Sequence, residues 1–284
     1  MDFDRITQDI AALNLNLYDF ALYTPGDGIF ACHMQPCSNC SNSYSVAKLF
    51  VVTALGLLWD EGKIRMDDPI GMYFDIPSGA DPGWKTATIE HAVTHRLGFG
   101  EGFLDIDTED VTQYPTEDYL SMVFAHPLAF APGTESTYTD AAYYLLSRLV
   151  SKVTGEQLDV FLNRRLLRPL SFHEAAWSRC PQEYPIGATG LYTAAGDMVK
   201  LAALYLEGGV WQGKRILSSD WVRMALERGY ELHPFGESGL IGKGGMYGQA
   251  AVFSAEKRFA AAWHAHEGRE NMKRLWAYLD DMKL

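Results

Sequence analysis

Tyr44-Ser45-Val46-Ala47-Lys48 leads straight into an apolar run made of Leu49, Phe50, Val51, Val52, Ala54, Leu55, Leu57, Leu58 and Trp59. The run reads as a buried helix closing near Gly62, a residue suited to the positive φ of a helix C′ position. Ser45 then occupies the first turn and Lys48 the next, on one face. A serine hydroxyl is a poor nucleophile at neutral pH unless a base takes its proton. An ammonium in an apolar helix start, near the positive end of the helix dipole, is expected to titrate below its ordinary range and so to serve as that base. Spacing alone does not decide the matter. Ser254-Ala255-Glu256-Lys257 repeats it between two alternating apolar runs, where it reads as a polar β-turn.

The 284 residues allow one large domain or two interleaved lobes with a substantial core, and 48% hydrophobic content excludes global disorder. A formal net charge of −12 argues against nucleic acid and anionic membrane surfaces as partners. Met1-Asp2-Phe3-Asp4-Arg5 has no basic region followed by an apolar stretch, so a cytoplasmic protein is expected. A trimmed form of an exported protein would read the same way. No membrane span is expected, because the run from Leu49 to Trp59 is short and broken by Thr53. Cys32, Cys37 and Cys40 share the C-x4-C-x2-C spacing of plant-type iron–sulfur ferredoxins, and His33 adds a possible ligand. Cys180 lies far away with no local companion, so a reduced polar loop is the preferred reading, without metal or other cofactor. The pairs His91/His95 and His264/His266 read as structural.

Along the chain, residues 4–14 form an amphipathic helix, and Leu17–Tyr23 and Ile29–His33 are strands joined across a Pro-Gly-Asp-Gly turn. Residues 67–84 and 100–113 read as loops. Helices are expected from Thr88 to about Arg96-Leu97-Gly98, from Thr116 as N-cap through Phe124, and up to Thr154 with Gly155 as stop. Others run over Glu156–Leu167, from a Thr193 cap to Gly208, and from Ser218 to Arg228. Ser238–Lys243, Gly248–Phe253 and Arg258–His264 then read as strands, and Gly268–Met282 as a closing helix. This order predicts an α+β fold. One antiparallel sheet is assembled from both chain ends and flanked by helices, with an all-helical lobe inserted. The α/β lobe would take residues 1–66 and 210–284 of a single domain, the helical lobe 67–209, and a cleft belongs where lobes meet.

Several ordered motifs resemble the serine β-lactamase and penicillin-binding-protein superfamily, on the branch of class C β-lactamases, esterases and D-amino peptidases. Tyr44-Ser45-Val46-Ala47-Lys48 is similar to its Ser-x-x-Lys element, and Ile89 to Gly98 to its helix ending in a His-Thr-Ser-Gly-type turn. Pro132-Gly133-Thr134 and Tyr138-Thr139-Asp140 resemble its Pro-Gly-x and Tyr-x-Asn elements. Gly190 to Met198 matches a further stretch, and Lys243-Gly244-Gly245 takes the place of Lys-Thr-Gly. The resemblance implies a β-lactamase/transpeptidase-like fold and an acyl-enzyme at Ser45, with Lys48 and Tyr138 as acid–base pair. The N–H groups of Ser45 and Met246 would form an oxyanion hole, and Asp140, Lys243, Gly244 and Gly245 would bind substrate, with Lys243 attracting an anionic group. The substrate would be an ester, a D-amino-acid amide, a short peptide or a β-lactam. Two departures matter: Asp140 replaces the usual Asn, and Gly244 lacks the Thr hydroxyl. They motivate a second reading, a non-catalytic relative that binds a peptide or β-lactam-like ligand. A redox protein built on Cys32, Cys37 and Cys40 is a third.

Overall fold

In the computed structural model, which describes residues 1–282, α1 (Phe3–Ala12) is followed by β1 (Leu17–Thr24), β2 (Gly28–His33) and β3 (Ser41–Asn42). A 3-10 turn over Tyr44–Val46 runs into α2 (Ala47–Asp60); α3 (Ile89–Val93), α4 (Tyr119–Ala125), α5 (Asp140–Thr154) and α6 (Leu158–Leu162) follow. Next are β4 (Ala175–Trp177), β5 (Leu191–Thr193), α7 (Ala195–Leu206), β6 (Val210–Trp211), β7 (Lys214–Arg215) and α8 (Ser219–Arg228). Last come β8 (His233–Pro234), β9 (Ile241–Gly244), β10 (Ala250–Ser254), β11 (Phe259–Ala265) and α9 (Arg269–Asp281). The chain divides into two compact units. One holds Met1–Val46, Leu167–Ala176 and the chain from Leu191 onward; the other holds Ala47–Leu166 and Trp177–Gly190.

The first unit is organised by an antiparallel sheet in the order β2-β1-β11-β10-β9-β8. The two ends of the chain meet in its middle, where Phe20 faces Trp263 and Leu22 faces Ala261 across the β1–β11 ladder. Alternation sorts β11 into two faces. Phe259, Ala261, Trp263 and Ala265 join a core with Ile6 and Ile10 of α1 and Met272, Leu275 and Leu279 of α9. Ala260 and Ala262 point the other way, where α7 packs on β1, β10 and β11. Small side chains there let the helix lie close to the sheet. Asp19 ties the two layers together, accepting from Ala195 N at 2.9 Å and from His264 N at 3.0 Å. The second Ser-x-x-Lys copy is a turn between β10 and β11, with Lys257 N donating to Ser254 Oγ.

The second unit is helical. α2 is buried over nearly its whole circumference, Ala47 through Leu58, and packs against α5 and α6. Such a helix belongs inside a bundle. It ends where expected, with Gly62 at φ +66°. α5 is capped by the Thr139 side chain and stops at Gly155, φ +72°.

The compact units divide at Val46/Ala47, Leu166/Leu167, Ala176/Trp177 and Gly190/Leu191, with α2 packed among helices and α7 on the sheet. Several expectations are corrected. The N-cap of α4 is Asp118, whose carboxylate accepts from Leu120 N and Ser121 N; Thr116 instead bonds Asp118 N. α3 closes at Val93, and His95 follows in the left-handed region at φ +56°. Glu156–Leu167 is split into α6 and a wider π turn over Asn163–Leu167. Thr193 belongs to β5, and α7 begins after Ala194. No helix among the described residues is long and apolar enough to cross a membrane.

Candidate active site

Ser45 sits, half-buried, in the 3-10 turn that opens the helical run to Asp60, three residues before Lys48 in continuous helical backbone. The turn is held firmly within the sheet unit. Ser43 N and Oγ both donate to Leu191 O, at 2.8 and 2.9 Å, and Val46 N donates to Ser43 O at 3.2 Å. Tyr44 takes φ +48°, an uncommon conformation for a bulky residue, and its N–H donates to Asn42 Oδ1 at 2.9 Å. Strain of this kind persists only where the surroundings impose it, and here it immediately precedes the nucleophile candidate.

The end of β9 comes up against that turn. A Cβ at Gly245 would lie 2.8 Å from Ser43 O and 2.7 Å from Gln249 Oε1, so only glycine fits. Gly245 N donates to Gln249 O at 2.8 Å, Tyr247 N donates to Gln249 Oε1 at 3.0 Å, and Gln249 Nε2 donates to Ala265 O at 2.7 Å. Met246, 43% exposed, lies in this pinned turn. Tyr247 meets the Tyr44 ring edge-on at 5.1 Å. Gly244 is different: the nearest atom to a Cβ there is Phe235 Cζ at 3.5 Å, ordinary contact.

Lys243 departs from the sequence expectation of an anion-attracting cation. It is 7% exposed, and its Nζ lies 2.5 Å from Oε2 of Glu231, itself 2% exposed. Sequence reading passed over Glu231, which has no motif around it; the pairing arises only because the segment after α8 folds beside β9.

Within the helical unit Lys48, Tyr138 and Asp140 are brought together. Lys48 is wholly buried; its Nζ donates to Asp140 Oδ1 at 2.7 Å and to Ala188 O at 2.9 Å. It also lies 4.8 Å from the centroid of the Tyr138 ring and 5.7 Å from that of Tyr143. Asp140 opens α5, where the helix dipole favours a negative charge. Its carboxylate is the direct ion-pair partner of the buried Lys48 ammonium. Tyr138, half exposed, stacks obliquely on His95 at 4.5 Å, and His95 Nδ1 accepts from Thr139 N at 3.3 Å. His95 therefore supports the Tyr138 segment, a role its pairing with His91 did not reveal.

The acidic loop contributes Asp105 and Asp107. Their carboxylate oxygens and one of Asp140 lie within 4.8 Å of each other, the one grouping among the described residues that could converge on a metal ion. Asp140 is already committed to Lys48. Burial, reinforced by Asp140 and Asp105, pushes the Asp107 carboxyl up, while a hydrogen bond from the Thr189 hydroxyl pulls it down. The cysteines of the Cys32–Cys40 loop are free thiols with separate surroundings. Cys32 Sγ lies 3.7 Å from Met34 Sδ, whereas Cys37 Sγ lies 3.1 Å from His33 Nδ1. Burial and Glu174 push Cys40 up to about 11.

Residues 40–281 match the model of the family described as Beta-lactamase. The chain is 22% identical over 198 residues to the D-alanyl-D-alanine-carboxypeptidase/endopeptidase AmpH of Escherichia coli (strain K12), covering 59% of this chain and 49% of that protein. It is 27% identical over 208 residues to Penicillin-binding protein 4 of Amycolatopsis lactamdurans, covering 62% and 54%. With Esterase EstB of Burkholderia gladioli it shares 26% over 156 residues, 50% of this chain and 40% of the esterase. The chain thus spans about half the length of the curated relatives it matches, or less. A penicillin-binding protein homolog from Caulobacter crescentus superposes with a TM-score of 0.75 at 15% identity, over 99% of this chain and 98% of its own. That likeness is one of fold, and it establishes the β-lactamase/transpeptidase-like architecture. With the motifs in order, the sheet closed by both chain ends and a family match over most of its length, the chain belongs to the beta-lactamase family.

Proposed function

We propose that the protein is a serine hydrolase that forms an acyl-enzyme at Ser45 and acts on an ester, a D-amino-acid amide or a β-lactam. The observation that carries this reading is the Lys48 ammonium, anchored on Asp140 and poised 4.8 Å from the Tyr138 ring, on the helical run that Ser45 begins. Ser45 Oγ attacks the carbonyl carbon as its proton passes to Tyr138. Tyr138 takes this proton as the phenolate, which the neighbouring Lys48 ammonium stabilises, and becomes the neutral phenol. The backbone N–H groups of Ser45 and Met246 receive the developing oxyanion, about 3 kcal/mol per donor. Tyr138 then returns the proton to the leaving group, and water releases the acyl group by the reverse path.

The names of the relatives, carboxypeptidase/endopeptidase, penicillin-binding protein and esterase, support the same class of acyl transfer. The test is intact mass after exposure to a fluorophosphonate and, separately, to a penicillin, with Ser45→Ala as control. One fluorophosphonate adduct per chain, lost in Ser45→Ala, is the expected result, and the penicillin arm separates β-lactam recognition from ester chemistry. One observation favours a second reading. The carboxylate on Lys48, where the motif elsewhere carries an amide, suits a relative that binds without turnover; a folded protein with no adduct from either reagent would select it.

A further inference from the structure

The charge that Lys243 would offer a substrate is already consumed. Its ammonium is 2.5 Å from Glu231, and both side chains are almost completely withdrawn from water. In such surroundings two opposite charges in contact cancel at short range and attract each other strongly. A substrate carboxylate could engage Lys243 only by displacing Glu231. Glu231 itself is held at φ +54°, in the left-handed region, a conformation uncommon outside glycine. His233 Nε2 lies 3.6 Å from the same oxygen.

The neighbouring groove points the same way. About 490 Å³ in volume, it is lined by Phe235, Gly244, Met246 and Trp276, with His233, Gln249 and Arg269 as its polar members besides Lys243; Gln249 is engaged by Tyr247 N and Ala265 O. Gly244 offers no hydroxyl, and Arg269 is exposed, so its charge is screened by salt and water. Beside these polar groups the groove offers the aromatic rings of Phe235 and Trp276 and the Met246 thioether.

We propose that this site takes acyl substrates with no carboxylate next to the scissile bond, neutral esters or amides with an apolar leaving group, and that Glu231 sets the preference by neutralising Lys243. This inference rests on the acyl-serine reading for its substrate class, yet its test does not need turnover. The probes are the phenyl and 3-carboxyphenyl esters of N-acetylglycine, which differ by one carboxylate. Their Kd values for Ser45→Ala protein, which cannot be acylated, are expected to favour the phenyl ester at least about tenfold, near 1.4 kcal/mol. Adding Glu231→Gln releases Lys243 and is expected to shift that ratio about tenfold toward the carboxylate ester. With Ser45 present, the ratio of kcat/KM values should follow, and a ratio does not depend on how much of a variant folds. Tighter binding of the 3-carboxyphenyl ester by protein with Glu231 intact overturns the proposal, as does a ratio that Glu231→Gln leaves unmoved. Absence of fluorophosphonate labelling would instead fell the hydrolase reading alone.

Discussion

Asp140 is one of two residues at which this chain parts from the motifs it otherwise follows, and its effect is electrostatic. Its carboxylate lies 2.7 Å from Lys48 Nζ and forms a buried ion pair with it. Asp140→Asn removes that stabilisation while keeping an acceptor. The acylation rate, followed by stopped flow with an activated ester, is expected to change on its alkaline limb. Movement of the acid limb instead would make Lys48 itself the base. Asp107 gives a stability test at the same scale. Its carboxyl is pushed up by burial and by Asp140 and Asp105, so its contribution is present below the unfolded carboxylate range and lost as pH rises through the folded value. At pH 7 the ionised group is a cost, discounted because the side chain is partly solvated. Asp107→Asn is expected to raise Tm by about 2 °C at pH 7, with the gain gone near pH 4. A lower Tm at pH 7 would show that Thr189 needs the carboxylate more than the cluster needs relief.

At the scale of elements, β9 and the Ser45 turn meet through a glycine that has no room to change. Gly245→Ala puts a methyl within 2.8 Å of Ser43 O, and backbone cannot move aside cheaply. Urea unfolding should show a loss of about 2 kcal/mol, with slower labelling of Ser45. Gly244→Ala, whose added carbon meets nothing nearer than 3.5 Å, is expected to stay within about 0.5 kcal/mol of the parent. Equal losses would mean that the turn yields as a whole. The start of α7 illustrates a different limit. Thr193 looked like its cap, yet Asp19 of a distant strand bonds Ala195 N, and a long-range acceptor replaced the local one.

Across the whole molecule, the sheet is closed by residues some 240 positions apart in the chain, β1 against β11, with α1 and α9 sealing one face. Ile6 and Ile10 are the residues by which α1 enters that core, and burying them contributes about 4 kcal/mol together. Removal of residues 1–14 is therefore expected to lower Tm by about 10 °C in a calorimetric scan. A change under 2 °C would mean that α1 merely rests on the surface.

Local physics made most of the architecture legible. An apolar run marked α2, amphipathic spacing marked α9, the turn residues at Thr24–Gly28 and Gly155 marked element ends, and ordered motifs marked Ser45, Lys48, Tyr138 and Lys243. Those signals depend on neighbours within a few residues, which a sequence displays directly. Other features depended on contacts between segments remote in sequence. α7 joined the sheet because alanines on β11 left space for it. Lys48 met a carboxylate carried on α5, and Lys243 met Glu231, a residue in no motif. Which charge faces which in a dry interior is decided by chain crossings, and in low dielectric a close buried pair interacts strongly.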